Sequence, residues 1–119
     1  TRQSVDRIMA VVSSHTLNSL DGTHAGGIKV TLTQIGADTP LFATQMDAGG
    51  RLSEVIDFAG VDTDAIYELV FETAPYWKER GAAQSIPEIV LRFKMLDPAG
   101  KYHMPIILSP HGYSMWSAG

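Results

Sequence analysis

Short apolar runs separated by clusters of Gly, Pro, Asp and Asn recur along the chain, at roughly the 8–12-residue spacing of an all-β sandwich or barrel. Ile28, Val30 and Leu32 alternate with Lys29, Thr31 and Thr33, the period-2 pattern of a strand with one buried face. Glu88 to Leu96 repeats the pattern, with Ile89, Leu91, Phe93 and Met95 on one face and Val90, Arg92 and Lys94 on the other. Further strands are expected over Arg7 to Thr16, Leu41 to Met46, Arg51 to Asp57 and Ile66 to Glu72. The strongest turn is Asp47-Ala48-Gly49-Gly50, whose two glycines can take positive φ without steric cost. Thr73 to Gly81 reads as the one helix: Thr73 can cap it, Pro75 suits its first turn and Gly81 can end it.

The last nineteen residues, Lys101 to Gly119, read as a hairpin. An apolar run from Met104 to Leu108 leads into the turn Ser109-Pro110-His111-Gly112, and a second short strand ends near Trp116. The expected fold is therefore an all-β, eight-stranded sandwich with one short helix, forming a single domain over residues 1–119. Its pairing should be mostly antiparallel, because the connections are too short for helical crossovers.

Composition narrows the function classes. A chain of 119 residues is long enough to bury a real core, and 45% hydrophobic with 18% charged residues is ordinary for a globular domain. The net charge of −4 offers no basic footprint for nucleic acid. The apolar run Ile8 to Val12 is too short to span a membrane. With no cysteine, disulfides, thiol catalysis and thiolate metal sites are excluded, and a cytoplasmic location is the expectation. The four histidines show no HxH, HExxH or His-carboxylate spacing, so no metal and no other cofactor is expected. Ser109 and Ser114 lack a Gly-x-Ser-x-Gly context, which argues against a serine nucleophile.

Several segments then point to a family. Ser14-His15-Thr16-Leu17-Asn18, Asp47-Ala48-Gly49-Gly50-Arg51, Glu72 to Gly81 with Tyr76-Trp77-Lys78, and Tyr102-His103-Met104-Pro105 with Leu108-Ser109-Pro110 occur in that order. Together they resemble the transthyretin-like family, specifically its 5-hydroxyisourate hydrolase branch. The resemblance implies a homotetramer, a dimer of dimers, with sites in a channel between dimers. It implies His15, Arg51 and His103 as the catalytic set and a small-molecule substrate. It also implies hydrolytic opening of the ring of 5-hydroxyisourate by a histidine-activated water, with the arginine binding the ring.

The chain departs from that branch at its end. Trp116-Ser117-Ala118-Gly119 stands where the enzymes usually carry Tyr-Arg-Gly-Ser, Lys101 where they carry a histidine, and His111 where they carry an aromatic residue. Trp116, Ser117 and His111 are therefore the candidate substrate-binding residues. Losing a cation and gaining an indole makes a less polar pocket, which suits an N-methylated hydroxyisourate from oxidised methylxanthines. A non-enzymatic carrier like transthyretin, using the same channel, is the alternative. His24, in a Gly-rich loop, is expected to be solvated.

Overall fold

The structure is a computed structural model that describes residues 9–118. Nine strands lie in these residues: β1 (Met9–Asn18), β2 (Lys29–Gln34), β3 (Phe42–Gln45), β4 (Arg51–Asp57), β5 (Tyr67–Glu72), β6 (Ile89–Phe93), β7 (Lys101–His103), β8 (Ile106–Ser109) and β9 (Gly112–Met115). A 3-10 turn, Phe58–Gly60, follows β4, and one helix, α1 (Ala74–Glu79), follows β5. The start of the first expected strand, at Arg7, lies outside the described residues.

Two sheets enclose the core. One runs β3-β2-β5-β6 and is antiparallel throughout. The other runs β4-β1-β8-β9, with β7 also on β1. The inward positions of the first sheet are those that the alternation indicated: Val30, Leu32, Leu69 and Phe71 are fully buried, with Ile89 and Leu91 nearly so. They pack with Ala10, Val12, Ile56, Ile106 and Leu108 of the second sheet and with Trp77 of α1. Burying side chains of this size stabilises the fold by about 1.5–3 kcal/mol each before entropy is charged against it.

Two features differ from the sequence reading, each for a local reason. The first strand of the C-terminal hairpin is broken at Met104-Pro105 into β7 and β8. Pro105 has no N–H to give to a ladder, so pairing stops and restarts around it. Both pieces also lie parallel to β1, with Ser13 opposite His103 and Thr16 opposite Ile106. The long excursion from β1 to β7 through the other sheet makes this parallel pairing possible without a helical crossover.

The helix is as expected in place but not in its cap. Pro75 occupies its first turn, and Gly81, at φ +69°, terminates it. The Thr73 hydroxyl makes no capping bond; it is buried and donates to the Ile86 carbonyl at 3.3 Å, fastening the loop after the helix.

The inward face of β1 changes character halfway along. Ala10 and Val12 are followed by Ser14, Thr16 and Asn18, all buried, and each has its polar group satisfied. Buried hydroxyls without partners would each cost about 1–3 kcal/mol. Here they bind the backbone of neighbouring segments, and those segments carry the candidate site residues.

Candidate functional site on the outer face of the second sheet

Because side chains alternate along a strand, the residues of β1 between the buried ones, Val11, Ser13, His15 and Leu17, face outward. Register then places their neighbours. On β4, Val55 lies opposite Val11, Ser53 opposite Ser13 and Arg51 opposite His15. On the other flank, Lys101 lies opposite Val11, His103 opposite Ser13 and Ile107 opposite Leu17. His15, Arg51 and His103 are thus brought to one surface from three strands. Polar groups occupy its middle, with Val11, Val55 and Lys101 at one end and Leu17 and Ile107 at the other.

An open cleft of about 290 Å³ lies here, lined among others by Ser13, Asp47, Arg51, Ser53 and His103. The Ser13 hydroxyl sits 2.8 Å from Nδ1 of His103, which orients the ring and leaves Nε2 as its unengaged nitrogen. Arg51 is exposed at the start of β4. Asp47 fixes the turn that delivers it: its carboxylate accepts from the backbone N–H groups of Gly49 and Arg51, both at 2.9 Å. Gly50, at φ +71°, passes so close to β1 that an added Cβ would sit 2.6 Å from the Thr16 carbonyl oxygen.

Thr16 holds two loops at once. Its backbone N–H donates to the Gly50 carbonyl at 2.8 Å, and its carbonyl accepts from Ala25 N–H at 2.9 Å. Its hydroxyl donates to the Ala25 carbonyl at 2.7 Å. Ser14 does the same on the other side, donating to the Met104 carbonyl at 2.7 Å, beside His103.

One residue of this surface was not expected. His24 pairs with Leu17 across an isolated antiparallel bridge, so it continues the file of Val55, Ser53 and Arg51 beyond the end of β4. Its Nδ1 lies 2.7 Å from Nε2 of His15. The two rings are 4.9 Å apart between centroids and inclined by 14°; with the nitrogens in contact, they meet edge to edge in nearly one plane rather than face to face. Burial holds the His15 pKa below the ordinary histidine value, assisted by the nearby charges of Arg51, His24 and His103 and opposed by hydrogen bonding of the ring to the Gly49 backbone. A sequence signal for His24 was the loop Asp21-Gly22, which folds Thr23 back onto Asn18, but nothing local named the partner.

The tail reaches the same surface by one of its residues. His103 and Ala118 exchange both backbone hydrogen bonds, each 2.9 Å, so Ala118 stands beside His103 as its cross-strand neighbour. Trp116, two residues earlier, is 49% exposed, and Ser117 is exposed between them. His111 is not brought here. It lies in the β8–β9 turn, beyond the Asn18 end of β1, with Nδ1 2.8 Å from the Ser85 hydroxyl. No group of three or more His, Asp or Glu side chains among the described residues is arranged to hold a metal ion, and no helix there is long and apolar enough to cross a membrane.

Comparison with known proteins decides the family. The model of the HIUase/Transthyretin family matches residues 12–117. The chain belongs to that family. A curated relative, the 5-hydroxyisourate hydrolase of Deinococcus radiodurans, is 31% identical over 110 residues, which cover 88% of this chain and 92% of the relative. The solved 5-hydroxyisourate hydrolase of Klebsiella pneumoniae superposes with a TM-score of 0.78 at 24% identity, covering 92% of this chain and 99% of that one. Transthyretin of Sparus aurata does nearly as well, at 0.73 and 22% identity over 90% and 95% of the two chains. Both superpositions show the HIUase/transthyretin fold.

Proposed function

We propose that this chain is a hydrolase that opens the ring of 5-hydroxyisourate or an N-methylated analogue of it. The observation that carries the reading is the convergence of Arg51, His103 and the His15 pair on one strip of this sheet face. A carrier for an apolar ligand has no use for three imidazoles and a guanidinium at the centre of its binding face.

Each group has a role that its geometry supports. Arg51 offers paired donors to the carbonyl-rich ring and stabilises the oxyanion as water adds to the carbonyl carbon. The His15–His24 pair beside the cleft supplies the base, with the His15 pKa held below the ordinary histidine value so that the pair rests neutral as a proton acceptor must. His103, oriented by Ser13, presents Nε2 to protonate the leaving ring nitrogen. Water contributes the new carboxyl oxygen, the ring carbon–nitrogen bond breaks, and the nitrogen gains a hydrogen.

The tail favours a methylated substrate. Ala118 beside His103, with Trp116 and Ser117 before it, brings no cation to that flank. N-methyl groups remove ring N–H donors and the acidity that would make the ring anionic, so they need apolar wall rather than charge. The strip is open on its outer side, and the apolar ends, with Val55 at 60% and Ile107 at 37% exposure, suit contact with a second copy of this face in a tetramer.

The test is a paired decay assay. Hydroxyisourate and its trimethyl analogue are generated in place by the matching oxidases, and their ultraviolet absorbance is followed with and without the protein. Faster decay of the methylated compound is the expected result. Faster decay of the unmethylated compound alone removes the methyl assignment, and no acceleration of either removes the hydrolase reading in favour of a carrier.

A further inference from the structure

We infer that His24 is the proton-accepting end of a two-histidine relay, in which His15 anchors and His24 exchanges the proton with water. This deepens the hydrolase reading and rests on it for the chemistry, though not for the pairing itself.

Nε2 of His15 is engaged by Nδ1 of His24 at 2.7 Å. One of these nitrogens donates and the other accepts, so the neutral pair has one N–H and one lone pair left, shared out between His15 Nδ1 and His24 Nε2. His15 is half-buried and His24 is exposed, so the end of the pair open to water is His24 Nε2. Placing the lone pair at that end makes His24 Nδ1 the donor and His15 Nε2 the acceptor.

Position supports the same conclusion. His24 stands opposite Leu17 on the outer face, next in file after Arg51. The loop that carries it is not free to drift. Ala25 is held twice by Thr16, Asn18 N–H donates to the Thr23 carbonyl at 2.8 Å, and Gly26 packs so closely on the Asp47–Ala48 turn that a Cβ there would lie 2.7 Å from both carbonyl oxygens. One buried threonine therefore fixes His24 and the Arg51 turn against the same strand.

The charged and titratable groups facing the pair are Arg51 from β4 and His103 from β7, both cationic or able to become so. Together with burial they disfavour a further proton on His15, so its Nε2 stays the acceptor toward His24 in the resting pair. In the reaction, a water proton passes to His24 Nε2 while the water oxygen bonds to the carbonyl carbon. The proton between the rings can shift from His24 Nδ1 to His15 Nε2, spreading the positive charge over both. The leaving nitrogen takes its hydrogen from His103, and both histidine sites re-equilibrate with solvent, so protons balance over a turnover.

The experiment compares His24→Asn with His24→Ala in the full chain, by long-range proton–nitrogen NMR of the imidazoles and by the pH dependence of kcat. Asparagine keeps an N–H donor near the Nδ1 position but has no basic end. The expected result is a single His15 tautomer, protonated at Nδ1, in the wild type and in His24→Asn, and a loss of that fixed tautomer in His24→Ala. Turnover should fall about 100-fold in His24→Asn with KM little changed, the size expected for losing a general base. An unchanged kcat in His24→Asn overturns the relay. A His15 tautomer that is the same in the wild type and in His24→Ala overturns the pairing. A fixed, His24-dependent tautomer in a wild-type protein that hydrolyses neither substrate supports the pairing and places the failure in the hydrolase reading instead.

Discussion

Ser13 and His103 lie 90 residues apart in the chain, yet the Ser13 hydroxyl stands 2.8 Å from His103 Nδ1 because β7 pairs in parallel with β1 at that register. The strand that carries His103 cannot slide by one residue without turning the imidazole into the core. Ser14 blocks such a slip by spending its buried hydroxyl on the Met104 carbonyl. Site geometry and sheet register are one constraint.

Ser13→Ala removes the partner that orients His103. The ring remains, so folding stability should change by less than about 1 kcal/mol at this half-buried position, while kcat falls roughly 10-fold, the equivalent of about 1.4 kcal/mol in the barrier. Denaturant midpoints measured beside steady-state rates separate the two effects.

Arg51→Lys keeps the charge and loses the paired donors. Since Arg51 is exposed, stability should stay within about 0.5 kcal/mol. The rate constant kcat/KM should drop about 100-fold or more, in the range for removing an oxyanion donor. A lysine variant with wild-type turnover would take Arg51 out of the transition state.

The two glycines Gly50 and Gly22 share a positive φ, +71° and +75°, but not their surroundings. At Gly22 an added Cβ meets nothing within 4 Å, so Gly22→Ala should cost only about 1 kcal/mol for the backbone strain. At Gly50 it collides with the Thr16 carbonyl and Ala25, and the turn must move. Gly50→Ala should therefore cost several-fold more, and should displace both Arg51 and His24. Urea melts of the two variants side by side make the comparison.

The depressed His15 pKa has a consequence for pH. Desolvation, then Arg51, lowers the folded value below that of the unfolded chain, so between the two values the unfolded state binds more protons. The contribution of this residue to stability is fully present above about pH 6.5, the unfolded value, and is lost as pH falls through the folded one. In an NMR titration His15 should have its midpoint below 6.5, and Arg51→Gln should move that midpoint upward. A midpoint at or above 6.5 in the wild type would contradict the charge arrangement described for this face.

Much of this was legible in the residues. The alternation at Ile28–Val30–Leu32 and Ile89–Leu91 gave the inner face of one sheet directly, since burial of one side of a strand writes itself into a period of two. His15, Arg51 and His103 each sit in a short motif, and register brings all three to one face. The place of His24 on that face was not legible, because its partner is set by loop closure: the hydrogen bonds of Thr16 and Asn18 that return the chain onto β1 come from residues that read locally as ordinary strand and turn. His111 was singled out for its place in the motif, but the β8–β9 turn carries it to Ser85. The tail showed that Ser117 stands where a cation was expected, but not that the neighbouring Ala118 would exchange backbone hydrogen bonds with His103.

The central claim, hydrolytic ring opening at this sheet face, is tested most directly with oxygen-18 water. The substrate is generated in place, the protein is added, and the ring-opened product is trapped early for mass spectrometry in wild type and in His103→Ala. Rapid formation of a product carrying one oxygen-18 in its new carboxylate, by the wild type only, is the predicted result. Equal rates of labelled product with the wild type, with His103→Ala and with no protein would contradict the account.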